Sequence, residues 1–122
     1  MLIIKENIVK TKSFAFAVRI VKLYQYLVAG KKEFVLSKQL LRCGTSVGAM
    51  IREAEHSESK PDFIHKMTIA QKEINETIYW LELLKVTDYL NNEQFDSINN
   101  NVTELIKLIT SIIKTTKTNI NH

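Results

Sequence analysis

Two short motifs place a carboxylate three residues before a histidine, Glu53 with His56 and Asp62 with His65. On a helix that spacing puts both groups on one face, and pairs of such motifs hold di-metal sites at the centre of helix bundles. A site of that kind needs its motifs on facing helices near mid-bundle, with further carboxylates from the other pair. Here both motifs flank a single inter-helix turn, and the first and last helical stretches carry no acidic residue amid their apolar stripes. No metal is expected. Gly44-Thr45-Ser46-Val47-Gly48 resembles a phosphate loop only superficially, because no strand precedes it and no Gly-Lys-Ser/Thr is present. Two glycines four apart instead let a neighbouring helix come close, at about 1 kcal/mol each in helix propensity.

Cys43 falls on an apolar stripe and reads as a small buried residue rather than a nucleophile. No Ser-His-Asp or Cys-His grouping can be placed on one face. Glu73 and Glu76 lie one turn apart without a polar cleft around them, so they read as ion-pair partners. Trp80 reads as a packing anchor rather than a base-stacking platform. No enzymatic activity, no cofactor and no small-molecule substrate are expected.

Charge offers the remaining chemistry. The chain has 122 residues and a net charge of +4, unevenly spread. Residues 1–52 hold ten Lys/Arg against Glu6 and Glu33, a balance of +8; residues 53–104 stand at −7 and the last eighteen at +3. A basic half attracts phosphates or acidic protein surfaces, and an acidic half can satisfy it within one molecule or between copies. One cysteine excludes an internal disulfide framework and suits a reducing cytoplasm. The N-terminus has only three apolar residues before Lys5, too short for a signal-peptide core, and no stretch approaches the roughly 18 apolar residues that span a bilayer. A cytoplasmic, membrane-free protein is expected.

The elements that would position these groups are helical. Three glycines and one proline are too few turn-formers for a fold of many short strands. Breaks near Gly30-Lys31-Lys32, His56 to Pro61 and Asp88 to Asn92 predict four helices over about 8–29, 35–57, 60–87 and 92–117. Asn7 and Asn92 are candidate N-caps, Gly30 a candidate C′ residue, and Ser59 caps a helix opened by Pro61 and Asp62. A polar C-terminal tail, expected to be flexible, begins near Thr115. Apolar residues recur at steps of three and four: Leu36, Leu40, Cys43, Val47, Ile51, Ala54; Phe63, Met67, Ala70, Ile74, Ile78, Leu81, Leu84; and Phe95, Ile98, Val102, Leu105, Ile109, Ile112. Short connections predict one all-α domain, an antiparallel up-down-up-down four-helix bundle.

Two helices carry more apolar surface than one bundle needs. Apolar residues from Phe14 to Val28 cover an arc of roughly 220° at 100° per residue, leaving a sector for Lys12, Arg19, Lys22 and Tyr26. The third helix has a second stripe, Ile69, Glu73, Glu76, Trp80 and Leu83. With Phe16, Ile20 and Leu23 of the first helix, this stripe is the expected subunit interface of a homo-oligomer. The alternative is that these residues fill a wide core inside one bundle. Lys38, Arg42, Thr45, Ala49 and Arg52 form a matching stripe on the second helix, where Arg42 and Arg52 can meet Glu73 and Glu76 across a helix–helix contact or can meet phosphates.

The run from Ser37 to Ala54, SKQLLRCGTSVGAMIREA, resembles the signature of small four-helix-bundle proteins known as 23S ribosomal RNA intervening-sequence proteins. KEINETIYWLELL over Lys72 to Leu84 resembles their second signature, and Phe16 to Val21 and Ser111 to Lys117 also fit. Cys43 stands where the family usually has serine and Met50 where asparagine is common; both positions face the core, and repacking is the expected consequence. The resemblance implies an antiparallel four-helix bundle that assembles as a homopentamer, with no established enzymatic activity. Some family genes lie within rRNA insertions. A related accessory protein of diversity-generating retroelements is a basic pentamer thought to engage nucleic acid and a reverse transcriptase.

Two functional expectations follow. In the first, a non-enzymatic homo-oligomer binds RNA or DNA through Lys12, Arg19, Lys22, Lys38, Arg42 and Arg52 as phosphate contacts, avidity multiplying a weak patch. In the second, it is a protein-interaction scaffold or accessory subunit, and the basic residues are used between subunits.

Overall fold

The computed structural model describes residues 2–120, with side chains over residues 4–118. Apolar residues at helical spacing fold into α1 (Leu2–Ala29), α2 (Leu36–Glu55), α3 (Lys60–Val86) and α4 (Asn92–Ile120). No strand occurs among the described residues. Each helix lies beside two neighbours: among the described residues the backbones of α1 and α3 each approach α2 and α4 closely, while the diagonal pairs face one another only across the shared core. The chain is an all-α four-helix bundle. Its centre is filled by Val9, Phe16, Ile20 and Leu27 of α1, Leu40, Val47 and Ile51 of α2, Met67, Ile74, Leu81 and Leu84 of α3, and Val102, Leu105, Ile109 and Ile112 of α4.

Side-chain pairs give the directions. Along α1, Lys5, Lys12 and Arg19 meet Ser111, Glu104 and Ser97 of α4, so the partner number falls as the α1 number rises. Lys10 meets Glu55 while Ile20 meets Gly44 on α2, again in opposite senses. Gln71 and Lys85 of α3 meet Thr110 and Phe95 of α4 in the same reversed order. The α1–α2 and α3–α4 connections therefore lie at one end of the bundle, and the α2–α3 turn lies at the other.

Local chemistry sets the ends. Glu33, before α2, turns its carboxylate onto the amides of Val35, Leu36 and Ser37 at 3.2, 3.0 and 2.7 Å. The Ser37 hydroxyl donates back to the Glu33 carbonyl at 2.9 Å. Burial alone would raise the Glu33 pKa, but these hydrogen bonds outweigh it and hold the carboxylate below its ordinary range. Ser59 caps α3 by accepting from the Asp62 amide at 3.2 Å, with Pro61 in the first turn, as expected. α3 closes on Asp88 at φ 69°, where the amides of Asp88 and Tyr89 donate to the carbonyls of Lys85 and Leu84 at 3.1 and 2.9 Å. That pair of bonds is the Schellman closure, with aspartate in the place usually taken by glycine.

Several boundaries differ from the sequence expectation. α1 begins at Leu2 and runs through Asn7, so Asn7 is not a cap. The left-handed residue after α1 is Lys32 at φ 57°, not Gly30. The cap of α4 is Asn91 rather than Asn92: its Oδ1 accepts from the Gln94 amide at 2.8 Å, and Gln94 Oε1 accepts from the Asn91 amide at 2.9 Å. α4 continues to Ile120, with Thr116 buried, where a tail from Thr115 was expected. Residues 121 and 122 of that tail lie outside the described residues.

Candidate functional site

α1 and α2 come closest at the two glycines. A Cβ on Gly44 would sit 2.8 Å from Ile20 Cγ1, and one on Gly48 would sit 3.3 Å from the Ser13 carbonyl oxygen. The glycine pair thus brings the two backbones together, the packing role read from its spacing. Cys43 is buried beneath it, 3.3 Å from the Thr77 hydroxyl, and burial pushes its thiol pKa up. Among the described residues no three His, Cys, Asp or Glu side chains group closely enough to hold a metal ion. The α2–α3 end instead carries a cleft of about 450 Å³, floored by Val9, Ile51, Ala54, Phe63 and Met67 and rimmed by Glu6, Lys10, Glu55 and Lys60. No sequence feature pointed to this cleft, because it forms where four helix ends diverge.

The predicted interface divides in two. Phe16 and Ile20 are 2% and 0% exposed inside the single chain, so they are core residues and leave the interface. Leu23, Ile69, Trp80 and Leu83 are half-buried, with Leu23 and Trp80 packed against the core cluster. The apolar arc on α1 was wide enough, but its core half is the one around Phe16 and Ile20. Its outer part is Phe14, Val18 and Val21, at 55%, 41% and 38% exposure. Periodicity could not choose between the halves because both are apolar. The position of Gly44 opposite Ile20 decides it.

The contact between Glu73, Glu76 and Arg42 forms within the chain. Arg42 Nη1 lies 3.3 Å from Glu73 Oε2, and Nη2 bonds Glu76 Oε2. The Trp80 indole N–H also donates to Glu76, at 3.0 Å. Trp80 and then Arg42 draw the Glu76 pKa below its usual value, and the bond to Glu76 holds Arg42 still more firmly protonated. Arg52 does not join this group; its guanidinium stacks 5.1 Å above the ring of Phe14.

The six candidate phosphate contacts are likewise divided. Lys12 pairs with Glu104 at 3.0 Å. Arg19 bonds the Ser97 carbonyl at 3.1 Å, the Ser97 hydroxyl at 2.9 Å, and the Asn101 side chain. Arg42 is tied to α3. Lys22, Lys38 and Arg52 are exposed and make no carboxylate contact among the described residues. Lys31 and Lys32 in the α1–α2 connection are exposed cations that the sequence reading did not include.

No described helix is long and apolar enough to cross a membrane. Comparison with curated proteins gives no match. Among solved structures, the chain is similar to a protein of unknown function from the S23 ribosomal protein family of Bacteroides thetaiotaomicron VPI-5482. The two share 63% identity at a TM-score of 0.89, over 90% of this chain and 98% of that one. The family model for 23S rRNA-intervening sequence protein matches residues 5–111. With that match spanning most of the four helices, the chain belongs to the 23S rRNA-intervening sequence protein family.

Proposed function

We propose that this protein is a non-enzymatic, self-assembling bundle that works as an interaction scaffold in the cytoplasm. The supporting observation is the outer face of α1. Phe14, Val18 and Val21 are exposed on a helix whose opposite face already fills the core. Three large apolar side chains exposed on one helix face are of the kind that marks protein contacts. A homopentamer is the assembly the family resemblance implies. Val18→Asp places an unpaired charge in that face while leaving the core intact. It should reduce the oligomer to protomers, with the helical circular-dichroism signal retained.

A second reading, RNA binding, is favoured by the exposed Lys22, Lys38 and Arg52, which have no carboxylate partner among the described residues. Titrating labelled RNA at two salt concentrations tests it. Phosphate contacts give affinity that falls steeply with salt, and Arg52→Ala should weaken it further. Absence of binding even at low salt removes this reading and leaves the scaffold. DNA in place of RNA in the same titration reports whether the contacts go beyond phosphate.

A further inference from the structure

The cleft at the α2–α3 end combines an apolar floor with a charged rim. The self-assembly proposed above does not use it, since Phe14, Val18 and Val21 are not in its lining. Its volume of about 450 Å³ is in the range of sites that take small organic molecules. Val9, Ile51, Ala54 and Met67 are buried in the floor, and the half-buried Phe63 joins them. The Thr116 hydroxyl, also in the lining, donates to the Ile112 carbonyl at 2.7 Å and so offers the cleft no donor.

Three carboxylates, Glu6, Glu55 and Glu58, and two ammonium groups, Lys10 and Lys60, line the same cleft. Their positions differ. Lys10 is engaged by Glu55, meeting both of its oxygens at 3.0 Å. Glu58 and Lys60 are exposed where the turn enters α3. Glu6 is half-buried and has no ion-pair partner among the described residues. Burial, and after it the neighbouring Glu55, raises the Glu6 pKa; its negative charge is disfavoured there, and a cation beside it reverses that.

We infer that the cleft binds a small organic cation, a primary amine on a short linker to an apolar ring, with the ring on the floor at Phe63 and Met67 and the ammonium on Glu6. Ring–ring and sulfur–ring contacts suit that floor, and a charge-assisted hydrogen bond suits the half-buried carboxylate. An anion of the same shape would bring its charge against Glu6 and Glu55, with Lys10 already engaged.

Phenethylammonium, hydrocinnamate and phenethyl alcohol share a ring and linker and differ in charge, so they test the site directly. Each is titrated into the intact chain at neutral pH and followed by methyl NMR. Phenethylammonium should bind saturably, shift the methyls of Ile51, Ala54 and Met67, and bind about tenfold tighter than hydrocinnamate. Glu6→Gln keeps the side-chain shape and should remove that preference. Glu6→Lys should invert it, so that hydrocinnamate becomes the tighter ligand. Circular dichroism checks that both variants fold. Equal affinities for the three probes, shifts confined to residues outside the cleft, or a preference for the ammonium unchanged in Glu6→Gln would overturn the site. No saturable binding at millimolar concentration would overturn it as well. None of these outcomes bears on the assembled mass, so their failure leaves the scaffold reading standing.

Discussion

With its carboxylate spanning three successive amides at the start of α2, Glu33 takes over the N-cap's task from outside the helix. Glu33→Ala leaves those amides without their acceptor, and the loss should be about 1–3 kcal/mol, seen as a lower Tm. The pH dependence has a definite sign. A carboxylate whose pKa is lowered on folding contributes stability above its unfolded value, about 4.3, and loses it as pH falls through the folded value. The advantage of wild type over Glu33→Gln should thus be full at neutral pH and fade in acid below about pH 4. Gly44→Ala tests the close approach of α1 and α2. The added methyl meets Ile20 carbons at 2.8 and 2.9 Å, so overpacking of about 1–3 kcal/mol outweighs a helix-propensity gain of about 1 kcal/mol. Its Tm should fall further than that of Gly48→Ala, whose nearest neighbour is at 3.3 Å.

At the scale of the helices, α2 and α4 are sharply two-faced, whereas α1 and α3 carry apolar residues on both sides. That contrast explains how much was legible in the sequence. The stripes of α2, α3 and α4 read directly, and the core residues Leu40, Val47, Ile74, Leu84, Val102 and Ile109 follow from them. On α1 the two apolar faces are equivalent to any periodicity, so spacing alone does not show that Phe16 and Ile20, at 2% and 0% exposure, belong to the core and not to the outer face. The caps at Glu33 and Asn91 were hidden for another reason. Each depends on a side chain reaching past its neighbour, which spacing alone does not specify. The candidate contact between Arg42 and the two glutamates was legible, but its location within one chain was not. Arg42 is half exposed, so Arg42→Ala should cost at most about 1 kcal/mol and leave the assembled mass unchanged. A drop to protomer mass in that variant would place Arg42 between subunits instead.

On the scale of the whole molecule, the bundle is sufficient to bury its own core and still presents apolar residues outward on diagonal helices. Lys12, Arg19 and Arg42 hold α1 to α4 and α2 to α3, which leaves Lys22, Lys38 and Arg52 as the candidate phosphate contacts with no protein partner of opposite charge among the described residues. What is left exposed on α1 is the apolar face of Phe14, Val18 and Val21 on which the proposed self-assembly rests. Light scattering on the intact wild-type chain, from micromolar concentration upward, measures this directly. A mass several times that of one chain, falling to one chain in Val18→Asp, is the expected result. A single-chain mass at every concentration would contradict it.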